Sequence, residues 1–208
     1  MEMADVYRDS SAAFVEIVGT LSADQLAASV PACPAWTVHD LLAHQAGSST
    51  DLVRGDVDGV ASTPWTARQV ADRRGRNVRE LTDEWSANVE AIAALCARPG
   101  PSPAWDVTVH LDDLREAVGI VPHPADEARA AVLDAALALL AQDRGVTAPV
   151  TVSLAERGPD PGTTTWHTAT AYGTWRALFS RADRRTLQRE VVRGDVDAFA
   201  RTAFFYAG

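Results

Sequence analysis

Through its first 120 residues the chain repeats one pattern, apolar side chains three and four positions apart, bracketed by residues that start or stop helices. This spacing gathers the apolar groups on one stripe of each helix, and that stripe must be buried against another element. Residues 4–21 carry Phe14, Ile17, Val18 and Leu21 in this register. Ser22 and Gln25 make a capping-box pattern that opens a further short turn. Pro31–Ala35 reads as a loop. Thr37 then reads as an N-cap with Asp40 three residues on and Trp36 stapled to Leu41. The helix it starts carries His44 to about Arg54, weakened at Gly47. Thr66 and Gln69 suggest another capping box, ahead of one long helix with Val78, Leu81, Trp85, Val89, Ile92 and Cys96 buried. Arg98-Pro99-Gly100-Pro101 stops it, and Ser102 with Pro103 starts a last helix that ends at Gly119. Four principal helices on short or medium connections predict an antiparallel four-helix bundle.

The pattern changes after Ile120-Val-Pro-His-Pro. A helix over 126–144, strands over 149–155 and 163–169, and helix over 173–204 broken at Arg193-Gly194-Asp195 predict a smaller α+β part. The expected organisation is therefore mostly α in an α+β whole, with a helical domain at 1–122 and a small domain at 123–208. No internal repeat stands out.

Bulk properties exclude several classes. A net charge of −9 disfavours nucleic-acid binding, which needs clustered positive charge to neutralise phosphates. All 19 basic residues are arginine, a bias that fits a GC-rich coding sequence better than a function. The N-terminus shows no signal-peptide pattern, and the most apolar stretch, 128–141, is short and contains Arg129 and Asp134. Neither membrane insertion nor export is expected, so the predicted location is the cytoplasm. Cys33 and Cys96 form no CxxC pair, which argues against a zinc knuckle or a disulfide scaffold.

The chemistry concentrates on two segments, Trp36–His44 and Trp105–Arg115. Residues four apart on a helix lie about 40° apart around its axis, so Asp106 and His110 share a face. Asp113 continues that polar stripe beside the apolar one of Val107, Leu111, Leu114 and Val118. With His44 from a neighbouring helix, Asp106 and His110 would make an N/N/O metal set with a coordination position free for chemistry. The competing reading is an ordinary i, i+4 surface pair. Asp113 would orient an imidazole through its other nitrogen, or serve as a plain helix charge. Asp40 precedes His44 by four residues, but the cap already explains it. His39 lies about 140° around the helix from His44 and cannot easily serve the same ion. His123 and His167 receive no role, and Cys33 reads as a buried small residue rather than a nucleophile.

At these residues the chain resembles the mycothiol-dependent maleylpyruvate isomerase family, a branch of the DinB-like metal-binding bundles. The likeness rests on Cys33-Pro-Ala-Trp36-Thr-Val-His-Asp40-Leu-Leu-Ala-His44-Gln-Ala-Gly47 and on Asp106-Val-Thr-Val-His110-Leu-Asp-Asp113-Leu-Arg115-Glu-Ala-Val-Gly119. A third patch, Asp183-Arg184-Arg185-Thr186 followed by Arg193-Gly194-Asp195, is similar to the end of the family's C-terminal domain. The resemblance implies a DinB-like N-terminal four-helix bundle and a small C-terminal domain. It implies a divalent metal, usually taken as zinc, on His44, Asp106 and His110, and a substrate-facing arginine near Arg184 or Arg185. Many members carry Glu where this chain has Asp106, one methylene shorter, which could draw the ion toward this helix or change the metal preferred.

Two functions are expected from these features. The first is a thiol-cofactor enzyme of the mycothiol type, an isomerase or S-transferase acting on a small electrophile, with metal-assisted hydrolysis as a chemical variant. The second is a non-catalytic DinB-like protein that binds a metal or small ligand for sensing or sequestration, with a degenerate member, its bundle kept and its site inert, as a third option. The partners expected are a small-molecule substrate and the thiol, with no nucleic acid and no membrane, on a monomer or homodimer.

Overall fold

The computed structural model describes residues 1–98, 100–121, 126–143, 150–154, 164–168 and 170–193. The chain divides into two compact units, Met1–Val132 and Leu133–Gly208. The described residues are mostly helical, and none of their helices is long and apolar enough to cross a membrane.

In the first unit, α1 (Met3–Gly19) buries Val6, Tyr7, Phe14 and Val18. It stops at Gly19, where the Thr20 N–H closes on the Ile17 carbonyl and the Leu21 N–H on that of Val18, so Leu21 lies past its end. The Ser22–Gln25 capping box forms and starts α2 (Ala23–Leu26). Of the expected loop at 31–35, Pro31 and Ala32 form a turn, while the rest is strand. β2 (Cys33–Thr37) pairs antiparallel with β1 (Ser29–Val30), and Pro34 is tolerated there because its position on a two-stranded edge faces solvent.

The next helix, α3 (Val38–Arg54), starts on the Thr37–Asp40 box and ends at Gly55, whose φ of 75° is the left-handed conformation of a helix C-cap. The expected box at Thr66 does not form. Ser62 is the N-cap of α4 (Thr63–Arg73), taking the Trp65 N–H, while the Thr66 hydroxyl donates to the Thr63 carbonyl. The long helix expected over the following residues is broken into α5 (Val78–Ser86) and α6 (Val89–Leu95). Asn77 and Glu80 form a capping box at the first break, a local start signal that outcompetes continuation from α4. The predicted stripe survives the breaks, with Leu81, Trp85, Ile92 and Cys96 all buried.

Ser102 caps α7 (Pro103–Ala117), with Pro103 in its first turn. α1 packs on α6 and α7, and α3 on α4 and α5. Phe14 meets Trp85 edge to face at 5.2 Å, and the Trp85 indole donates to the Tyr7 hydroxyl at 2.9 Å. The start of α8 (Glu127–Asp143) is tied to α7 by Arg129–Asp112 at 3.0 Å and, just before the helix, by Arg115–Asp126 at 3.1 Å.

The second unit holds the rest of α8, then β3 (Val150–Leu154), β4 (Thr164–Thr168), α9 (Ala171–Leu178), α10 (Arg184–Glu190) and β5 (Val191–Arg193). Its sheet runs β3-β4-β5. The first pair is parallel and the second antiparallel, so the two predicted strands are not a hairpin. Val191–Arg193, expected as helix, is the edge strand β5, as its two valines suit a pleated surface. The break proposed at Gly194-Asp195 and the helix beyond it lie outside the described residues.

Candidate metal centre

α3 runs beside α4, α5, α6 and α7, which explains why it is buried from Leu41 through Asp51 even at polar positions. A histidine and a glutamine there cannot be solvated, so each must be satisfied by protein groups or an ion. His44 faces α7. Its Nε2 lies 3.7 Å from one Asp106 carboxylate oxygen, and His110 Nε2 lies 3.5 Å from the other. The ring centroids of the two imidazoles are 5.1 Å apart. One ligand atom from each of His44, Asp106 and His110 lies within 4.8 Å of the other two. Bonds of about 2.1 Å at a tetrahedral angle would separate ligand atoms by roughly 3.4 Å, so the cluster needs only a small contraction to hold a zinc-sized ion.

The hydrogen bonds behind the rings decide what the front presents. The Gln69 side-chain N–H donates to the Asp51 carboxylate at 2.8 Å, so the Gln69 amide oxygen must be the atom that meets His44 Nδ1, also at 2.8 Å. His44 Nδ1 is therefore the donor of that bond. The Asp113 carboxylate faces His110 Nδ1 at 3.0 Å and likewise accepts from it. In a neutral imidazole only one nitrogen carries a proton, so both Nε2 atoms offer lone pairs toward Asp106. Two lone pairs and a carboxylate converging in a half-enclosed space repel unless a cation, a proton or a metal ion, lies among them. This donor set fits a divalent metal.

Asp106 is the most open of the three, its side chain 31% exposed, whereas both imidazoles are buried. Burial opposes its ionisation, yet a proton shared with His110 and His44, with an N–H from Gln45 at 2.8 Å, holds its carboxyl well below the usual carboxylate range. Its place in the first turn of α7 acts in the same direction. Trp36 forms an aromatic wall, with its ring 5.0 Å from that of His44 and 6.2 Å from that of His110, and Trp65 meets His44 edge-on at 6.4 Å.

The family model of the mycothiol maleylpyruvate isomerase N-terminal domain matches residues 7–122. The chain belongs to this family. Comparison with curated proteins and with solved structures gives no match. His44, Asp106, His110 and Asp113 all lie inside the mycothiol maleylpyruvate isomerase N-terminal domain, and the fold brings the four together.

Other predicted positions stand apart. Asp40 accepts from the Thr37 backbone and hydroxyl and is a cap. His39 meets the Arg76 carbonyl at 2.8 Å, away from the cluster. Arg184 and Arg185 are exposed on α10, in the second unit and beyond the matched span. His123 lies outside the described residues, and His167 sits in β4. Cys33 is half-buried rather than fully so, because β2 carries it along an edge. Sequence reasoning did not find Gln69, Asp51 or Gln45. The signal available was their polarity at positions the helical register assigns to the interior.

Proposed function

We propose that the chain is a metal-dependent enzyme that employs mycothiol or a similar low-molecular-weight thiol, as an isomerase or S-transferase acting on a small electrophile. The reading rests on the family and on one observation: two imidazole lone pairs and a carboxylate converge, with the opposite nitrogen of each ring already engaged. His44, Asp106 and His110 would hold the ion, zinc in the first instance, with Asp113 fixing the His110 ring. Held by these residues, the ion would supply Lewis acidity that favours the thiolate of a small thiol, with the proton released to solvent, and such a nucleophile would suit addition to an electrophilic carbon, reversible for cis–trans isomerisation or lasting for S-transfer.

The chain's own part is to shape and bias that reaction. Trp36 and Trp65 flank the rings with apolar surface and limit water beside them. Gln69 and Asp113 keep both rings in one tautomer and one orientation. Arg184 or Arg185 would pair with a substrate carboxylate. In this reading the helices of the first unit are a DinB-like four-helix bundle, the remainder from residue 123 is a small C-terminal domain, and the protein works in the cytoplasm as a monomer or homodimer.

Metal analysis of the purified protein, beside His44→Ala, Asp106→Ala and His110→Ala, tests the ligand set. Near-stoichiometric metal in the parent and loss in each correctly folded variant is expected. Full metal content in both histidine variants would show the ligand assignment to be wrong. Turnover of an electrophile panel with and without the thiol then tests the activity. Metal binding with no thiol-dependent turnover would leave a binding protein instead.

A further inference from the structure

A second group of side chains next to this cluster also joins three ligand types. The Cys33 thiol, a ring nitrogen of His110 and a carboxylate oxygen of Asp113 all lie within 4.8 Å of one another. Cys33 comes from β2, and His110 and Asp113 from successive turns of α7. Asp113 is fully buried, His110 nearly so, and Cys33 half-buried, so the set is enclosed on the helix side and approached from the strand.

We propose that Cys33, His110 and Asp113 form a second cation position, suited to a thiophilic ion, that competes with the first position for His110. The competition rests on the N/N/O reading above; the S/N/O set does not. A thiolate with an imidazole and a carboxylate is a donor set that favours zinc- or cadmium-like ions over hard, oxygen-seeking ones. Nδ1 is the His110 nitrogen that faces Asp113, so it is the one this position uses. To ligate, Nδ1 gives up its proton, and Nε2 takes one and donates it to the Asp106 oxygen 3.5 Å away. The ring stays neutral. The thiol proton of Cys33 leaves to solvent, one per ion bound. A ring protonated on Nε2 has no lone pair for the first position, so occupancy of one excludes His110 from the other.

The test titrates the metal-free, full-length protein with Cd²⁺ and follows thiolate-to-metal absorption in the ultraviolet. Absorption that saturates with added Cd²⁺ is expected in the parent, in Cys96→Ser and in His44→Ala, and its loss is expected in Cys33→Ser. Alkylation provides a second measurement, with Cd²⁺ expected to protect Cys33 in both the parent and His44→Ala. Circular dichroism of Cys33→Ser checks that the fold is retained. No thiolate absorption in the parent, or absorption that persists without Cys33, overturns the proposal. Zinc content that depends on His44 in a protein with no such absorption would overturn it while leaving the N/N/O reading intact. Absorption that depends on Cys33, with zinc content that does not fall when His44→Ala is added to Cys33→Ser, would support it while removing that reading.

Discussion

Gln69 touches His44 through a single hydrogen bond of 2.8 Å, and its own amide is turned by Asp51, which also meets Arg68 at 3.2 Å. This relay fixes which His44 nitrogen faces Asp106. Gln69→Ala removes the acceptor for Nδ1 and frees the ring to rotate or change tautomer. Zinc affinity should fall by roughly 10–100-fold, read by competition with a chelator. His44, Asp106, His110 and Asp113 were legible in the sequence because three of them share one helix face at spacings of four and three. Gln69 was not, because the pattern Thr66-x-x-Gln69 looks like a capping box and gave that glutamine a role elsewhere. The Ser62 cap leaves Gln69 free to turn inward from the middle of α4.

Among the elements, α3 and α4 meet closely. At Gly47 a Cβ would lie 2.6 Å from Gln69 Cβ, 2.8 Å from its Cγ and 2.9 Å from a guanidinium nitrogen of Arg73. The glycine weakens α3 as a helix but lets α4 approach closely enough for Gln69 to reach His44 one turn away. Gly47→Ala should therefore destabilise the protein by about 1–3 kcal/mol in denaturant unfolding, despite alanine's better helix propensity. Its metal affinity should fall too, since the displaced side chain is Gln69. The starts of α3 and α7 were readable because their caps are local chemistry. The breaks between α4, α5 and α6 were not, because one buried stripe continues through all three. The β1–β2 pair was missed because two strands of two and five residues, one with a proline, offer almost no alternation.

For the whole molecule, metal and proton should act on stability in opposite senses. An ion bound only by the folded state adds about 2.7 kcal/mol at a hundredfold excess over its Kd, so zinc should raise the melting temperature on the order of 5–10 °C and a chelator should reverse it. Acid should do the reverse through Glu84 as well as through the ligands. Burial works against the Glu84 carboxylate, but Arg73 at 2.6 Å, the Thr50 hydroxyl at 2.6 Å and Arg76 at 2.6 Å hold it below the usual glutamate range. A carboxyl lowered in the folded state contributes stability that is complete above its unfolded value, about 4.3, and is lost as pH falls through the lower folded value. Metal-free protein should thus lose denaturant resistance below about pH 4.5. Glu84→Gln should flatten that loss, and an unchanged acid limb in the variant would rule this origin out.

Trp36 rests 5.0 Å from one imidazole and 6.2 Å from the other while remaining partly open to solvent. An indole so close to two rings feels any charge that settles between them, and its emission should change in step with occupancy. Trp36→Phe should remove most of that optical response while the remaining five tryptophans still glow, so the protein carries its own gauge for following an ion in and out without a label.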